Sequence, residues 1–158
     1  MNYLLFSGGS NTGKSSAIYR LAVELTSGTF RKFTVVAGSV PTTFSDFRAV
    51  LEGIDNSGKT IRILINSASD TKRIINELHK FYISNLPVDF VISSVRNLHT
   101  PRSYFFNKMN IVTPKDFYIE VPLAKLPRGT HRASALIWYQ QSVNTLGTHL
   151  LGNSPFNL

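Results

Sequence analysis

Residues 3–16 read Tyr3-Leu-Leu-Phe-Ser-Gly-Gly-Ser-Asn-Thr-Gly-Lys-Ser-Ser16, and the fold turns on how this stretch is read. Gly8, Gly13, Lys14 and Ser15 fit G-x-x-x-x-G-K-[ST], a phosphate-binding pattern. Glycines at these positions let the backbone turn tightly and bring its N–H groups close to a polyphosphate. Lys14 then supplies a point charge to the outer phosphates. The Ser15 hydroxyl completes a Mg²⁺ shell made otherwise of water and phosphate oxygen. Ahead of the loop, Tyr3, Leu4, Leu5 and Phe6 suit a short buried strand; behind it, Ile18, Leu21, Ala22 and Leu25 recur with the spacing of a helix stripe. Strand, loop and helix thus follow in the order that aims a helix N-terminus at an anion. Two other readings stay open: an ordinary glycine-rich turn, and a loop that binds a nucleotide without turning it over.

Working outward, the first helix is expected over residues 13–26, stopping at Ser27-Gly28. The β-branched run 33–37 predicts a buried strand beside the first. Segments 47–54 and 60–66, joined by the polar turn Asp55-Asn-Ser-Gly-Lys59, predict an antiparallel hairpin; a helix over 45–53 is the alternative. Ser69 or Asp70 should open a helix with Ile74, Ile75, Leu78, Phe81 and Tyr82 on its apolar face, ending at Asn85-Leu-Pro87. Residues 88–93 read as a central strand, Thr100-Pro101 as a helix cap and first turn, and 116–121 as the last strand. A terminal helix runs from Thr130 or His131 to Leu150, with Leu136, Trp138, Tyr139, Val143 and Leu146 as its core-facing stripe. Phe105 and Phe106 read as packing residues, with a base-binding wall as the alternative. The alternation indicates one α/β domain over residues 1–158, a three-layer sandwich whose mainly parallel sheet carries an antiparallel edge hairpin.

The chain's net charge of +8 is uneven: residues 1–95 hold ten Lys/Arg against seven Asp/Glu, and residues 96–158 hold seven against two. Such a basic C-terminal third fits phosphate-rich ligands, nucleic acid or a solvated surface, although no dense basic tract is present. Cysteine is absent, which excludes disulfides, thiolate nucleophiles and cysteine zinc sites. The four histidines (79, 99, 131, 149) lack metal-ligand spacing, and His131 reads equally as a phosphate ligand or a helix-start residue. No apolar run reaches the ~20 residues of a membrane span. The N-terminus lacks signal-peptide features, so a cytoplasmic protein is expected.

A polyphosphate site of this kind needs an acid at a neighbouring strand end to hold the Mg²⁺ water shell. The apolar strand 61–65 suits that place, but Asn66 follows it. Asp70 is the next carboxylate and is expected either as a metal-shell residue or as a helix cap. Asp46 is a further candidate. Asp89 lies at the start of its strand, the wrong end for phosphates.

Over about residues 1–95 the chain resembles the P-loop NTPase superfamily. The order of loop, helix, Pro41-Thr42-Thr43 segment and hairpin is similar to small GTPases, which would make Thr42 or Thr43 a metal threonine. Asn66-Ser-Ala-Ser69 stands where that family has Asp-x-x-Gly, and its guanine-reading Asn-Lys-x-Asp is missing. Val91-Ile-Ser-Ser-Val-Arg96 is similar to a turn in nucleoside-monophosphate kinases, which implies a phosphate or acceptor contact for Arg96 and a lid role for the loop from Lys125 to Arg132.

The resemblance implies Mg²⁺-dependent binding of ATP or another nucleoside triphosphate. Gly8, Gly9, Ser10, Asn11, Thr12, Gly13, Lys14, Ser15 and Ser16 would line the site, Ser15 and Asp70 would serve the metal, and Lys14 and Arg96 would act in catalysis. The expected reaction is phosphoryl transfer to water or a small acceptor. The alternative is a nucleotide-dependent binding module that engages a protein or nucleic acid with little catalysis.

Overall fold

The computed structural model describes residues 1–27, 30 and 33–158. Its elements are β1 (Asn2–Gly8), α1 (Lys14–Ser27), β2 (Thr34–Gly38), β3 (Arg48–Ile54), β4 (Thr60–Asn66), α2 (Lys72–Ser84), β5 (Phe90–Arg96), α3 (His99–Lys108), β6 (Phe117–Pro122) and α4 (Arg132–Leu151). The strands form one mixed sheet in the order β2-β3-β4-β5-β1-β6. β4, β5, β1 and β6 run parallel, while β2 and β3 are antiparallel to their neighbours.

The apolar run that opens the chain becomes β1, which lies between β5 and β6 with Leu4, Leu5 and Phe6 fully buried. Burial of each such side chain contributes about 1.5–3 kcal/mol. Side chains alternate across the sheet, so Leu4 and Phe6 join one core with Ile18, Leu21 and Leu25 of α1 and Val143 and Leu151 of α4. Tyr3 and Leu5 join the other with Ile75 and Leu78 of α2 and Phe105 of α3. Helices therefore cover both faces of an α/β sheet, as expected. Phe105 is buried, and Phe106 packs edge-on against Tyr118 under the Arg102 guanidinium. No described helix is long and apolar enough to cross a membrane.

The hairpin forms as expected, with β3 paired to β4 from Arg48↔Asn66 to Ile54↔Thr60. Its turn is closed by Asp55 Oδ1, which accepts from Ser57 N–H and Oγ–H at 2.9 and 2.6 Å and from Lys59 N–H at 2.9 Å. Gly58 supplies the positive φ of +88° that this turn needs. No helix occupies 45–53.

Four local expectations are corrected. The strand of residues 33–37 does not lie beside β1. As β2 it is the far edge of the sheet, with Thr34, Val35 and Val36 exposed. β-branched residues suit any pleated strand, buried or not, so the run reports strand without reporting place. Only Phe33 is buried, over Gly53, where a Cβ would collide with its ring. Helix α2 is capped by Thr71, whose Oγ1 accepts from Ile74 N–H at 3.3 Å, so neither Ser69 nor Asp70 is the cap. Helix α3 begins at His99 after Leu98, which puts Pro101 third in the helix, where its missing N–H costs no helical bond. On α4 the buried line is Val143, Gly147 and Leu151, whereas Leu136, Trp138 and Leu146 are exposed. Gly147 lets α4 approach α1, since a Cβ there would lie 3.1 Å from Leu21 Cδ2. Val143 and Tyr139 of the expected stripe do meet the core, while contact along an i, i+4 row turns Leu136, Trp138 and Leu146 away from it. The expected stop of α1 at Gly28 lies outside the described residues, although the helix does end at Ser27.

Candidate functional site

The C-terminal ends of the parallel strands meet the start of α1. Register places Gly8 of β1 beside Arg96 of β5, and Asn66 of β4 beside Ser93. β4 is not a direct neighbour of β1, as the sequence suggested, because β5 lies between them. Residues 9–13 turn the chain from β1 into α1. Asn11 there takes a left-handed φ of 59° and Gly13 one of 87°. The first helical bond runs from Ala17 N–H to the Gly13 carbonyl, so the N–H groups of Lys14, Ser15 and Ser16 have no helical acceptor.

The two adjacent glycines differ in what they do. A Cβ on Gly8 would sit 2.6 Å from Thr12 Oγ1 and 3.1 Å from the Leu123 carbonyl, so close approach demands glycine. A Cβ on Gly9 would meet nothing within 4 Å. Gly9 serves through its carbonyl, which accepts from Thr12 Oγ1–H at 3.1 Å and from Lys14 Nζ at 2.7 Å.

Lys14 is buried, 6% exposed, and its ammonium also donates to the Gly8 carbonyl at 3.2 Å. It has no carboxylate ion-pair partner among the described residues. Burial pulls its pKa below the ordinary lysine value; the nearby Asp70 carboxylate opposes this and the Arg96 guanidinium adds to it. Arg96 bridges the site: Nη1 donates to Ser10 Oγ at 2.6 Å and Nε pairs with Asp70 Oδ1 at 2.7 Å. Ser15 Oγ–H donates to the Ser67 carbonyl at 2.8 Å, which fixes α1 to the tip of β4.

An open cleft of about 530 Å³ is lined by Asn11–Ser16, Phe44, Asp46, Asp70, Leu136 and Gln140. The structure thus gathers residues 11–16 of the glycine-rich loop and Asp70 into one site, and Arg96 is tied to it through Asp70 and Ser10 without lining the cleft. Thr42 and Thr43 do not line it; the Thr42 carbonyl accepts from the Tyr19 hydroxyl at 3.1 Å. Arg128, His131 and Arg132 line a separate, smaller cavity, so the loop expected as a lid does not cover the cleft. Asp89 sits at the opposite sheet end, as expected, where it accepts from Arg62 N–H at 2.9 Å.

Several members of the site were not read from the sequence. Ser67 and Ser69 are buried; Ser69 Oγ donates to the Ser94 carbonyl at 2.6 Å, locking the β4 tip to β5. The small polar run after an apolar strand was their signal. Gln140 and Leu136 had no local signal, because the docking of α4 on α1 brings them to the loop. No family model, curated protein or solved structure matches the chain.

Proposed function

We propose that the chain is a P-loop protein binding a nucleoside triphosphate, ATP in the first instance, together with Mg²⁺. One observation carries the reading: among the described residues, the buried Lys14 ammonium donates only to carbonyl oxygens of its own loop. A buried cation without a direct ion-pair partner is costly, and an anion entering the loop supplies one. The turn that needs Gly8 and Gly13 and the free N–H groups at the start of α1 suit a polyphosphate for the same electrostatic reason.

In this reading Ser10, Asn11, Thr12 and Gly13 offer backbone N–H groups, and Lys14 holds the β- and γ-phosphates. Ser16 contacts the α-phosphate. Ser15 holds the metal, and Asp70 flanks the same cleft. When bound, Mg²⁺ would neutralise charge on the outer phosphates. Arg96, already against Ser10, has the planar fork that binds phosphate oxygens in pairs. Phosphoryl transfer to water or to a small acceptor would then proceed by positioning and charge stabilisation.

A second reading is favoured by Asn66 at the strand tip and by the exposed Ile137 and Trp138 on α4, close to the cleft residue Leu136. Here nucleotide binding controls an interaction surface and turnover is slow. Release of ADP from Mg²⁺·ATP, measured alone and with a pool of nucleotides and small metabolites, separates the two. Acceptor-dependent release supports the kinase-like enzyme. Tight binding without turnover in either case supports the module, and absence of nucleotide binding overturns both.

A further inference from the structure

We propose that the metal-side acid of this site is Asp46, delivered by the loop before β3, in place of an acid at the tip of β4. The inference rests on the P-loop reading above and names the residue that serves its metal.

The tip of β4 does not suit a carboxylate. Asn66 is fully buried, and its Nδ2 donates to the Ala68 carbonyl at 2.7 Å and to Ser93 Oγ at 3.0 Å. An aspartate there would set a buried negative charge against the Ala68 carbonyl oxygen with neither donor to offer. Asn66 Oδ1 has no partner among the described residues, which leaves a buried acceptor at this tip able to take a hydrogen bond from water.

One residue along, Ser67 ties three parts of the site together. Its carbonyl accepts from Ser15 Oγ–H, the hydroxyl assigned to the metal, at 2.8 Å. Its hydroxyl accepts from Phe47 N–H at 2.8 Å and lies 3.3 Å from both Asp46 Oδ1 and the Phe47 carbonyl, either of which can take its proton. Ser67 N–H also donates to the Phe47 carbonyl at 3.1 Å. This clasp fixes residues 46 and 47 to the strand tip, and the buried Phe47 ring, edge-on to Tyr19 of α1, anchors them further. Asp46 therefore reaches the same cleft as Ser15 from a held position.

The other carboxylate in the cleft is already engaged. Asp70 pairs with Arg96 at 2.7 Å, whereas Asp46 has no cationic partner among the described residues. An acid that supports a metal shell needs its charge available, and Asp46 meets that condition. The chemistry implied is outer-shell support of a hard divalent cation through water, of the kind Mg²⁺ favours.

The test compares ATP affinity in Mg²⁺ with ATP affinity in EDTA, by calorimetry, for the wild-type chain, Asp46→Asn and Asp70→Asn. Asp46 is exposed, so its variant is expected to melt with the wild type. The wild type should bind more tightly with Mg²⁺. Asp46→Asn should lose about tenfold in Mg²⁺ and nothing in EDTA, while Asp70→Asn keeps the Mg²⁺ gain. If Asp46→Asn keeps the full gain, or if Asp70→Asn is the variant that loses it, the assignment is overturned and the P-loop reading stands. If the wild type binds ATP in neither condition, the P-loop reading fails and the assignment falls with it.

Discussion

The two ends of the parallel sheet carry similar charges and treat them differently. At the N-terminal end, Asp116 accepts from the Met1 ammonium at 3.0 Å and from Val112 N–H at 3.0 Å. Asp89 accepts from Arg62 N–H at 2.9 Å and pairs with Lys59 at 3.2 Å. These carboxylates are held by backbone donors and fixed cations, and they knit strand starts together. At the C-terminal end, among the described residues, Lys14 rests on loop carbonyls and Asp46 meets one long contact, Ser67 Oγ at 3.3 Å. Partners of that kind are easily exchanged for a ligand. Saturated charge ties the strand starts together, whereas at the other end Lys14 and Asp46 stay under-satisfied beside one saturated pair, Arg96 with Asp70.

The largest effect that could break this contrast is at Lys14. Lys14→Met should weaken Mg²⁺·ATP binding by roughly 10- to 150-fold, the worth of a hydrogen-bonded charge. It should leave the melting temperature unchanged or raise it, because the variant no longer buries a cation. If instead affinity holds and the protein melts early, Lys14 is structural and the contrast collapses.

Asp116→Asn should do the opposite, lowering stability by about 1–3 kcal/mol in urea titrations with ATP affinity unaltered. Its pH dependence follows from the balance at the carboxyl. Burial pushes the pKa up, but the Val112 N–H bond, the N-terminal ammonium and the Lys115 charge together bring it below the ordinary carboxylate value. A carboxyl lowered on folding contributes stability that is complete above its unfolded pKa and is lost as pH falls through the folded one. The wild type should therefore lose more stability than the variant on acidification below the usual carboxylate range.

Arg96→Ala should have a smaller effect, a several-fold loss of triphosphate affinity on the scale of one charge-assisted contact of about 1 kcal/mol. The Asp70 carboxylate should become more mobile by NMR order parameters. Trp138→Ala should have the smallest, within about 0.5 kcal/mol of wild-type stability, because its ring is 58% exposed. A loss of several kcal/mol would restore the core-facing stripe that the sequence suggested for α4.

That stripe shows where legibility stopped. β1, α1, the hairpin and β5 were readable, because each carries its own signal in apolar period or turn chemistry. The strand–loop–helix order around residues 8–16 was readable because motif and flanking elements sit together in the chain. Place was harder than type. Residues 33–37 announce a strand, but only pairing with β3 shows that it is an edge. The α4 face depends on Gly147 meeting Leu21, a contact between elements more than a hundred residues apart. From sequence Asp70 suits a helix cap or a metal acid; the structure pairs it with Arg96 and gives the cap to Thr71. Asp46 was a bare candidate until the Ser67 clasp connected it to Ser15.

The most direct test of the central claim is competition at the loop itself. Calorimetric titration of Mg²⁺·ATP into the wild-type chain should show one site, with AMP binding far more weakly and inorganic tripolyphosphate displacing ATP, because the proposed site meets phosphates rather than the base. Absence of binding, or ATP binding that tripolyphosphate leaves untouched, would contradict the account.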